Sequence, residues 1–507
     1  MRARTLVRCA FVWFCLPGCN DVPIAPMQHT ECRLSTQLYN GAEGGGTSRS
    51  AVGPQSPWLY GGADAAPAAC GDRDANAPVD LYLSADDSNS MASPVIARHI
   101  IQQRAGLVPA EVLRTYEFLN YYNVRYAPPP AGVLNVVAQA RPEGVTDVEL
   151  QVGVQSWLAP RPRRPLILTL LLDTSGSMGG DPMVLEAAVV RAIAASLTIG
   201  DVVNAVTWSE TNSVVLSNHA VSGPQDPILM TVADELHADG GTDLHAGLVA
   251  GYAMADEHYG SDRMNRVVLI SDGLANVGTT DQDFIGGKAK DAEREGIYLV
   301  GVGVGDGIND TLMDAVTDAG RGAYVFIDSE DEAEKMFGPR FDEVVDVAAR
   351  AVQVQLRLPW YFDMVAFHGE EYATEPSEVT PQHLAPGEAM VFHQLIRACD
   401  ASAIDLRDPL SVTARWVEPS TSAPREVSMT TTLAALFDGG DQQLRRGRAI
   451  VAYAEALRAI PSLVPSEQQA VIDDAIAAVQ LADPDASDPA LEEIESLLDQ
   501  YRTAPGM

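Results

Sequence analysis

Basic residues are in short supply in this chain. Only 34 lysines and arginines face 69 aspartates and glutamates, which leaves a formal net charge of −35 over 507 residues. A surface of that sign does not neutralise phosphate, so it excludes nucleic acid as a partner and electrostatic docking on anionic lipid as a habit. Its plain consequence is solubility and self-repulsion. Cysteine is also scarce. The six are Cys9, Cys15, Cys19, Cys32, Cys70 and Cys399, with no C-x-x-C pair, which excludes a zinc ribbon and a thioredoxin-like centre. The nine histidines contain no H-E-x-x-H motif. No G-x-S-x-G nucleophile elbow occurs, and Gly301, Gly303, Gly305 and Gly307 miss the G-x-G-x-x-G spacing of a dinucleotide loop. They read as a strand end and a turn. No run beyond the N-terminus is long and apolar enough to span a bilayer.

What is present begins with the N-terminus. Arg2, Arg4 and Arg8 precede a short apolar stretch, Cys9 to Leu16, which leads into Leu16-Pro17-Gly18-Cys19. A basic start and a short apolar core fit a secretory signal. The segment resembles a bacterial lipoprotein signal, residues 1–18, with cleavage before Cys19 and lipid on its thiol, although Pro17 departs from the usual residue there. The resemblance implies an exported chain in the cell envelope, facing the periplasm or the cell surface, that touches the membrane only through its lipid anchor. Residues 19–78 are rich in Gly, Ala, Pro and Ser and read as a flexible linker. Cys32 and Cys70 flank part of it and could pair as a disulfide in an oxidising compartment, leaving Cys399 over as a buried thiol.

A chain of this length holds about two to four domains, and 46% hydrophobic residues give it cores to build. Residues 79–164 carry N-terminal helices and the first β strands. In 94–127, apolar residues recur at helical spacing around a Gly-Leu-Val-Pro break, so Tyr116, Phe118, Tyr121 and Tyr122 read as a core face. Residues 147–158 alternate, with Val148, Leu150, Val152 and Val154 on one side and Asp147, Glu149, Gln151 and Gln155 on the other. The same period returns at 352–358 and 410–416. Such alternation predicts antiparallel sheets with one wet face.

Residues 165–346 alternate apolar strands, near 166–172, 202–208, 213–217, 266–271, 297–304 and 323–327, with helices near 183–197, 244–258, 283–295 and 309–318. This predicts an α/β, Rossmann-like unit with a mostly parallel central sheet. It is inserted in, or flanked by, a β-sandwich-like domain that includes the β-rich segment 347–437. Residues 438–507 are helical at the C-terminus, with a capping box expected at Ser466 and Gln469 and an N-cap at Asp488 before Pro489.

The most informative stretch is LILTLLLDTSGSM, residues 166–178. A buried strand runs into Asp173, Ser175 and Ser177. One carboxylate and two hydroxyls at alternate positions can converge when the loop turns, and such hard oxygen ligands suit Mg²⁺. DGGTD at 239–243 adds the Thr242 hydroxyl, and RVVLISDG at 266–273 ends a second apolar strand in Asp272. In an α/β sheet, ligands bind beyond the carboxyl ends of the strands, where Asp173 and Asp272 stand. These five residues resemble the metal-ion-dependent adhesion site (MIDAS) of von Willebrand factor type A domains.

LSADDSNSMASPVIARHI, VPAEVLRTYEFLNYYNVRYAPPP, GGTDLHAGL, NRVVLISDGLANVG, GVGVGDGINDTLMDAVTDAGRGAYVFID and LAPGEAMVFHQLI extend the likeness beyond that site. Over roughly 80–460 the chain resembles the YfbK-type bacterial lipoproteins with a von Willebrand factor A domain. The resemblance implies an envelope protein whose A domain binds a divalent cation, Mg²⁺ with Mn²⁺ or Ca²⁺ as substitutes, and engages a protein partner through an Asp or Glu carboxylate. Two other readings compete with protein interaction or adhesion. One is a metal-dependent hydrolase, for which no general base stands in the motifs. The other is a structural envelope protein in which the metal merely fixes three loops.

Overall fold

The computed structural model describes residues 70–84, 90–274, 296–419 and 421–506. Every residue of the strand Leu166–Asp173 is buried, so it needs cover on both faces and a neighbour on each edge. Val202–Trp208 and Met264–Ser271 flank it in parallel. Ile297–Val304 and Tyr324–Ile327 continue in parallel beyond Met264–Ser271. At the opposite edge Asn212–Ala220 returns antiparallel beside Val202–Trp208. The chain therefore runs outward on one side of Leu166–Asp173 and then crosses to the other side. That reversal opens a crevice between Leu166–Asp173 and Met264–Ser271 at their carboxyl ends.

Helices Asp181–Ser196, Leu244–Glu257 and Asp310–Gly320 accompany this sheet close to their expected places. The expected helix 283–295 lies outside the described residues. Three helices of this unit have no counterpart in the sequence reading, the shortest being Phe341–Val345. Pro227–Glu235 is short, but Asp226 caps it by accepting from the Ile228 and Leu229 amides, with proline at the first helical position. Glu330–Phe337 is capped by Ser329, whose hydroxyl accepts from the Glu332 amide at 3.2 Å.

Strands from both sides of the α/β unit build a β-sandwich. Val79–Ser84 pairs antiparallel with Ala349–Leu358, and Asp147–Gln155 with Ala389–Ala398. One sheet runs Glu371–Ala373, Val79–Ser84, Ala349–Leu358, Pro409–Val417, Pro424–Thr432, with Gln382–Leu384 also on Ala349–Leu358. The other runs Phe362–Phe367, Ala389–Ala398, Asp147–Gln155, Asn135–Pro142. Leu83, Val354, Leu356 and Val412 from the first share an apolar core with Val152, Val154, Phe392 and Ile396 from the second.

The wet face expected on Asp147–Gln155 is not wet. Glu149, Gln151 and Gln155 are buried, because the strand is internal to its sheet and the helix Gln442–Ala459 lies over its polar side. Gln151 donates to the Gln443 carbonyl at 2.9 Å and to the Tyr126 hydroxyl at 2.8 Å. Glu149 meets His393 at 3.1 Å, Arg141 at 2.9 Å and Arg448 at 3.1 Å. Burial alone would raise the Glu149 carboxyl, but His393, Arg448 and Arg141 hold it down at about 2.

The terminal helices share the core of the α/β unit. Ala92–Gln102, Thr115–Tyr122, Gln442–Ala459, Pro465–Ala482 and Pro489–Tyr501 all contribute to it, with Phe118, Tyr121 and Tyr122 buried as the spacing predicts, while Tyr116 is only half-buried and lies outside that core. Ionic ties reinforce the join. Arg98 reaches Asp328 at 2.7 Å, Glu332 at 2.8 Å and Glu493 at 3.0 Å. Arg114 forks onto Asp310 at 2.6 and 3.0 Å. The capping box expected at Ser466 is displaced. Pro465 takes the first helical position and Glu467 reaches back to the Val464 amide at 3.3 Å, because proline pre-sets the helical φ one residue earlier. Asp488 caps Pro489–Tyr501 as expected.

The cysteine pairing is corrected. Cys70 is bonded to Cys399, with Cα atoms 5.4 Å apart, so Cys399 is not a spare thiol and Cys70 is not free for Cys32. Cys32 lies outside the described residues. Cys399 follows the strand Ala389–Ala398, and its amide donates to the Tyr361 carbonyl at 2.8 Å. Residues 70–78, expected as linker, are thereby tied to the sandwich, and Arg73 adds an ion pair to Asp363 at 2.5 Å. Non-reducing peptide mapping is expected to recover a Cys70–Cys399 cross-link. The Cys70→Ser/Cys399→Ser double variant should lose about 2–5 kcal/mol in urea unfolding.

A second expectation concerns the join at Arg114. Burial, assisted by the charges of Glu117, Asp318 and Asp310 and opposed by Arg114, pushes the Asp314 carboxyl up to about 8. A carboxyl raised on folding stabilises most at low pH and loses that contribution as pH rises toward its folded value. Wild type should therefore lose stability relative to Asp314→Asn by up to about 1.4 kcal/mol per pH unit between roughly pH 4 and 8, measured by urea unfolding across that range.

Candidate metal centre

Register places the first carboxylate. Leu172 pairs with Ile270, so Asp173 lies beside Ser271, and the Ser271 hydroxyl donates to Asp173 Oδ2 at 2.6 Å. Asp173 Oδ1 accepts from the Ser175 amide at 2.9 Å. This local turn bends the chain off the strand end into a single 3₁₀ turn, Gly176–Met178. Ser175 Oγ and Ser177 Oγ then lie 3.1 Å apart, the first buried and the second exposed.

The second loop is laced onto the first. The Asp239 amide donates to the Thr174 carbonyl at 2.7 Å, and the Gly176 amide to the Gly240 carbonyl at 2.9 Å. A Cβ on Gly176 would stand 2.9 Å from that carbonyl, and Gly240 adopts φ +84°, so both glycines are required for so close an approach. Thr242 follows, 1% exposed. Asp243 then caps Leu244–Glu257 by accepting from the Ala246 amide at 2.9 Å.

Asp272 extends the third loop from Met264–Ser271 and is buried. Its Oδ1 accepts from the Leu274 amide at 3.0 Å, and its carbonyl accepts from the Asn309 amide at 2.9 Å. All five residues singled out in the sequence, Asp173, Ser175, Ser177, Thr242 and Asp272, thus lie on three loops at the carboxyl end of one sheet, at its reversal point.

Among the described residues, no lysine or arginine is paired with the acids at this end. Burial pushes the Asp173 carboxyl up to about 6 against the hydrogen bonds from Ser271 and Ser175, and the Asp272 charge adds to the rise. Behind it lies a residue the sequence reading missed. Glu186 is fully buried in Asp181–Ser196, and its carboxyl oxygens make no hydrogen bond of ordinary geometry. Burial first, then the charges of Asp173 and Asp272, drive it well above the usual carboxylate range, with only the Asp173 backbone opposing. The available signal was a lone acid in an apolar helical run, LEAAVV. A buried acid without a basic partner is balanced either by a proton or by a cation. Among the described residues no three His, Cys, Asp or Glu side chains are placed to hold a metal, so an ion at this place would need the hydroxyls as well. Carboxylate and hydroxyl oxygens fit a hard divalent ion.

Residues 168–339 match the family model of the von Willebrand factor type A domain. The central unit is a von Willebrand factor type A domain. Domains of this kind are in general protein-interaction or adhesion modules, and the chain carries one. It is similar to YfbK of Escherichia coli (strain K12), 30% identical over 191 residues, which are 37% of this chain and 33% of YfbK. It is also similar to sll0103 of Synechocystis sp. (strain ATCC 27184 / PCC 6803 / Kazusa), 26% identical over 212 residues, 41% of this chain and 49% of that protein. The chain thus matches half or less of the length of these relatives. Among solved structures, it is similar to a von Willebrand factor type A protein from Catenulispora acidiphila, with 16% identity and a TM-score of 0.45 over 72% of this chain and 88% of that one. It is likewise similar to the ArnB paralog VWA2 from Sulfolobus acidocaldarius, with 12% identity and a TM-score of 0.40 over 73% and 98%.

Asp173→Ala is expected to abolish any Mg²⁺-induced rise in melting temperature while leaving the far-ultraviolet circular dichroism unchanged. Glu186→Gln should weaken Mg²⁺ about tenfold by isothermal titration, because a nearby cation favours the ionised carboxyl, which glutamine cannot supply. The metal-free protein should be no less stable for that substitution.

Proposed function

We propose that this is an exported cell-envelope protein whose A domain holds a divalent cation and uses it to bind a protein. Asp173, Ser175, Ser177, Thr242 and Asp272 would hold Mg²⁺, directly or through water, with Mn²⁺ or Ca²⁺ as substitutes. The observation that carries this reading is the convergence of two buried carboxylates and the hydroxyl loops at the reversal point, backed by Glu186 and by no lysine or arginine paired with these acids among the described residues.

A bound divalent cation supplies an open coordination position for a partner's Asp or Glu carboxylate. The chain's own residues set that position up. Ser271 and the Ser175 amide fix the Asp173 carboxylate in one orientation. Asp272 is fixed in turn by the Leu274 amide. The remaining donors, Ser175, Ser177 and Thr242, are neutral hydroxyls, so they would not cancel the ion's attraction for an anion. Ser177 faces solvent, on the side from which a partner would approach. The loops are already laced by backbone hydrogen bonds, which disfavours an ion whose task is only to fix them.

Export is supported by the Cys70–Cys399 disulfide, which suits an oxidising compartment, and by the basic and apolar residues ahead of Cys19, the proposed lipidation site. Among the described residues no helix is long and apolar enough to cross a membrane.

A pull-down from envelope extract tests the proposal, with wild type and Asp173→Ala as bait, each with Mg²⁺ or with excess chelator. Proteins captured by wild type in Mg²⁺ should be lost in the other three arms. Equal capture in all four arms would overturn the metal-dependent reading.

A further inference from the structure

The surround of the metal centre narrows the kind of partner it can take. Five described segments border it: 174–182, 208–212, 237–245, 272–274 and 305–309. The last belongs to the rim because the Asn309 amide donates to the Asp272 carbonyl at 2.9 Å and Gly305 lies against Pro182. Beyond Asp173 and Asp272, every formally charged side chain on these segments is acidic: Asp181, Glu210, Asp239, Asp243 and Asp306, with no lysine or arginine. Asp243 is turned inward as a helix cap. The other four are exposed. Glu210 accepts from the Gly241 amide at 3.2 Å, beside Thr242, and the Asp239 amide is tied to Thr174, beside Asp173. Asp306 has an 87% exposed side chain, with His99 at 2.6 Å.

Rim acids alone do not make a binding site. The independent observation is Glu186, fully buried with an unpartnered carboxyl behind Asp173, which points to a cation at the centre. One divalent ion balances Asp173 and Asp272. It leaves the four exposed acids on these segments uncancelled, and exposed charges act on one another over about one screening length at physiological salt. A carboxylate carried on an acidic surface would be attracted by the ion and repelled by the rim. Carried among lysines and arginines, it satisfies both at once. A second copy of this chain, with a net charge of −35, is the wrong sign for that ring.

We infer that the partner presents an Asp or Glu side chain ringed by Lys and Arg, so that the metal takes the carboxylate and the rim of Asp181, Glu210, Asp239 and Asp306 takes the surrounding cations. The inference rests on the metal-dependent reading above and goes beyond it in naming the partner's surface.

The test uses the full chain and three fluorescent peptides of equal length: Asp flanked by lysines, Asp flanked by glutamates, and Asn flanked by lysines. Anisotropy is read in Mg²⁺ and in chelator, at low and high salt, with the Mg²⁺-induced melting shift measured separately. The lysine-flanked Asp peptide should bind at least tenfold tighter than the glutamate-flanked one, and should lose binding in chelator and on replacement of Asp by Asn. Its advantage should shrink in high salt and in the Glu210→Gln/Asp239→Asn/Asp306→Asn variant. Equal Mg²⁺-dependent binding of both Asp peptides, or none by the lysine-flanked one at millimolar concentration, overturns the inference while a retained melting shift leaves the metal reading standing. Binding of the lysine-flanked peptides regardless of Asn or chelator shows charge attraction alone and overturns the inference too. Absence of any Mg²⁺ shift removes the reading on which it rests.

Discussion

The parallel pairing of Leu166–Asp173 with Met264–Ser271 is the constraint on which the rest depends. Both strands are buried along their whole length, so their register is set by how apolar side chains fill the space on each face. A slip of one residue would turn those side chains to the opposite faces. It would also part Asp173 from Ser271. Because the strand order reverses between these two strands, a crevice is left at their carboxyl ends, and it receives Asp173 and Asp272 together.

That crevice is held at some cost. Asp173, Asp272 and Glu186 are all buried, and the folded chain brings them no lysine or arginine among the described residues. Elsewhere the same chain does not leave buried acids so exposed to one another. Glu149 has His393, Arg141 and Arg448, and Asp201 has Arg163 at 2.5 Å. The contrast within one molecule is the physical ground for reading the first group as a site and the others as structure.

The surrounding modules are joined to this site through short hydrogen-bonded and ionic paths. Asp272 meets Asn309, the cap of Asp310–Gly320. Asp310 is gripped by Arg114, which lies just ahead of the helix Thr115–Tyr122. The backbone of Met91 donates to the Tyr324 carbonyl at 2.7 Å, which covers the edge of the sheet at Tyr324–Ile327. The N-terminal helices therefore serve as a clamp on the A domain as well as a lead into the sandwich. The C-terminal helix Pro489–Tyr501 closes the same clamp through Glu493 and Arg98.

Local pattern was enough wherever one strand or loop carries its own signal. The unbroken apolar run before Asp173, the spacing of Asp173, Ser175 and Ser177, the alternation in 352–358 and the Asp488-Pro489 cap are all legible because their physics involves near neighbours. The sequence by itself determined the A domain and the interrupted sandwich in this way. Only the tertiary structure decided the rest. It joined Cys70 to Cys399 rather than to Cys32, buried the polar side of Asp147–Gln155 under Gln442–Ala459, and set Glu186 behind Asp173. Each of these depends on which distant segment arrives to cover a surface. A residue's own neighbours in the chain say whether it is polar, but burial and the charge it meets there are properties of the packed whole.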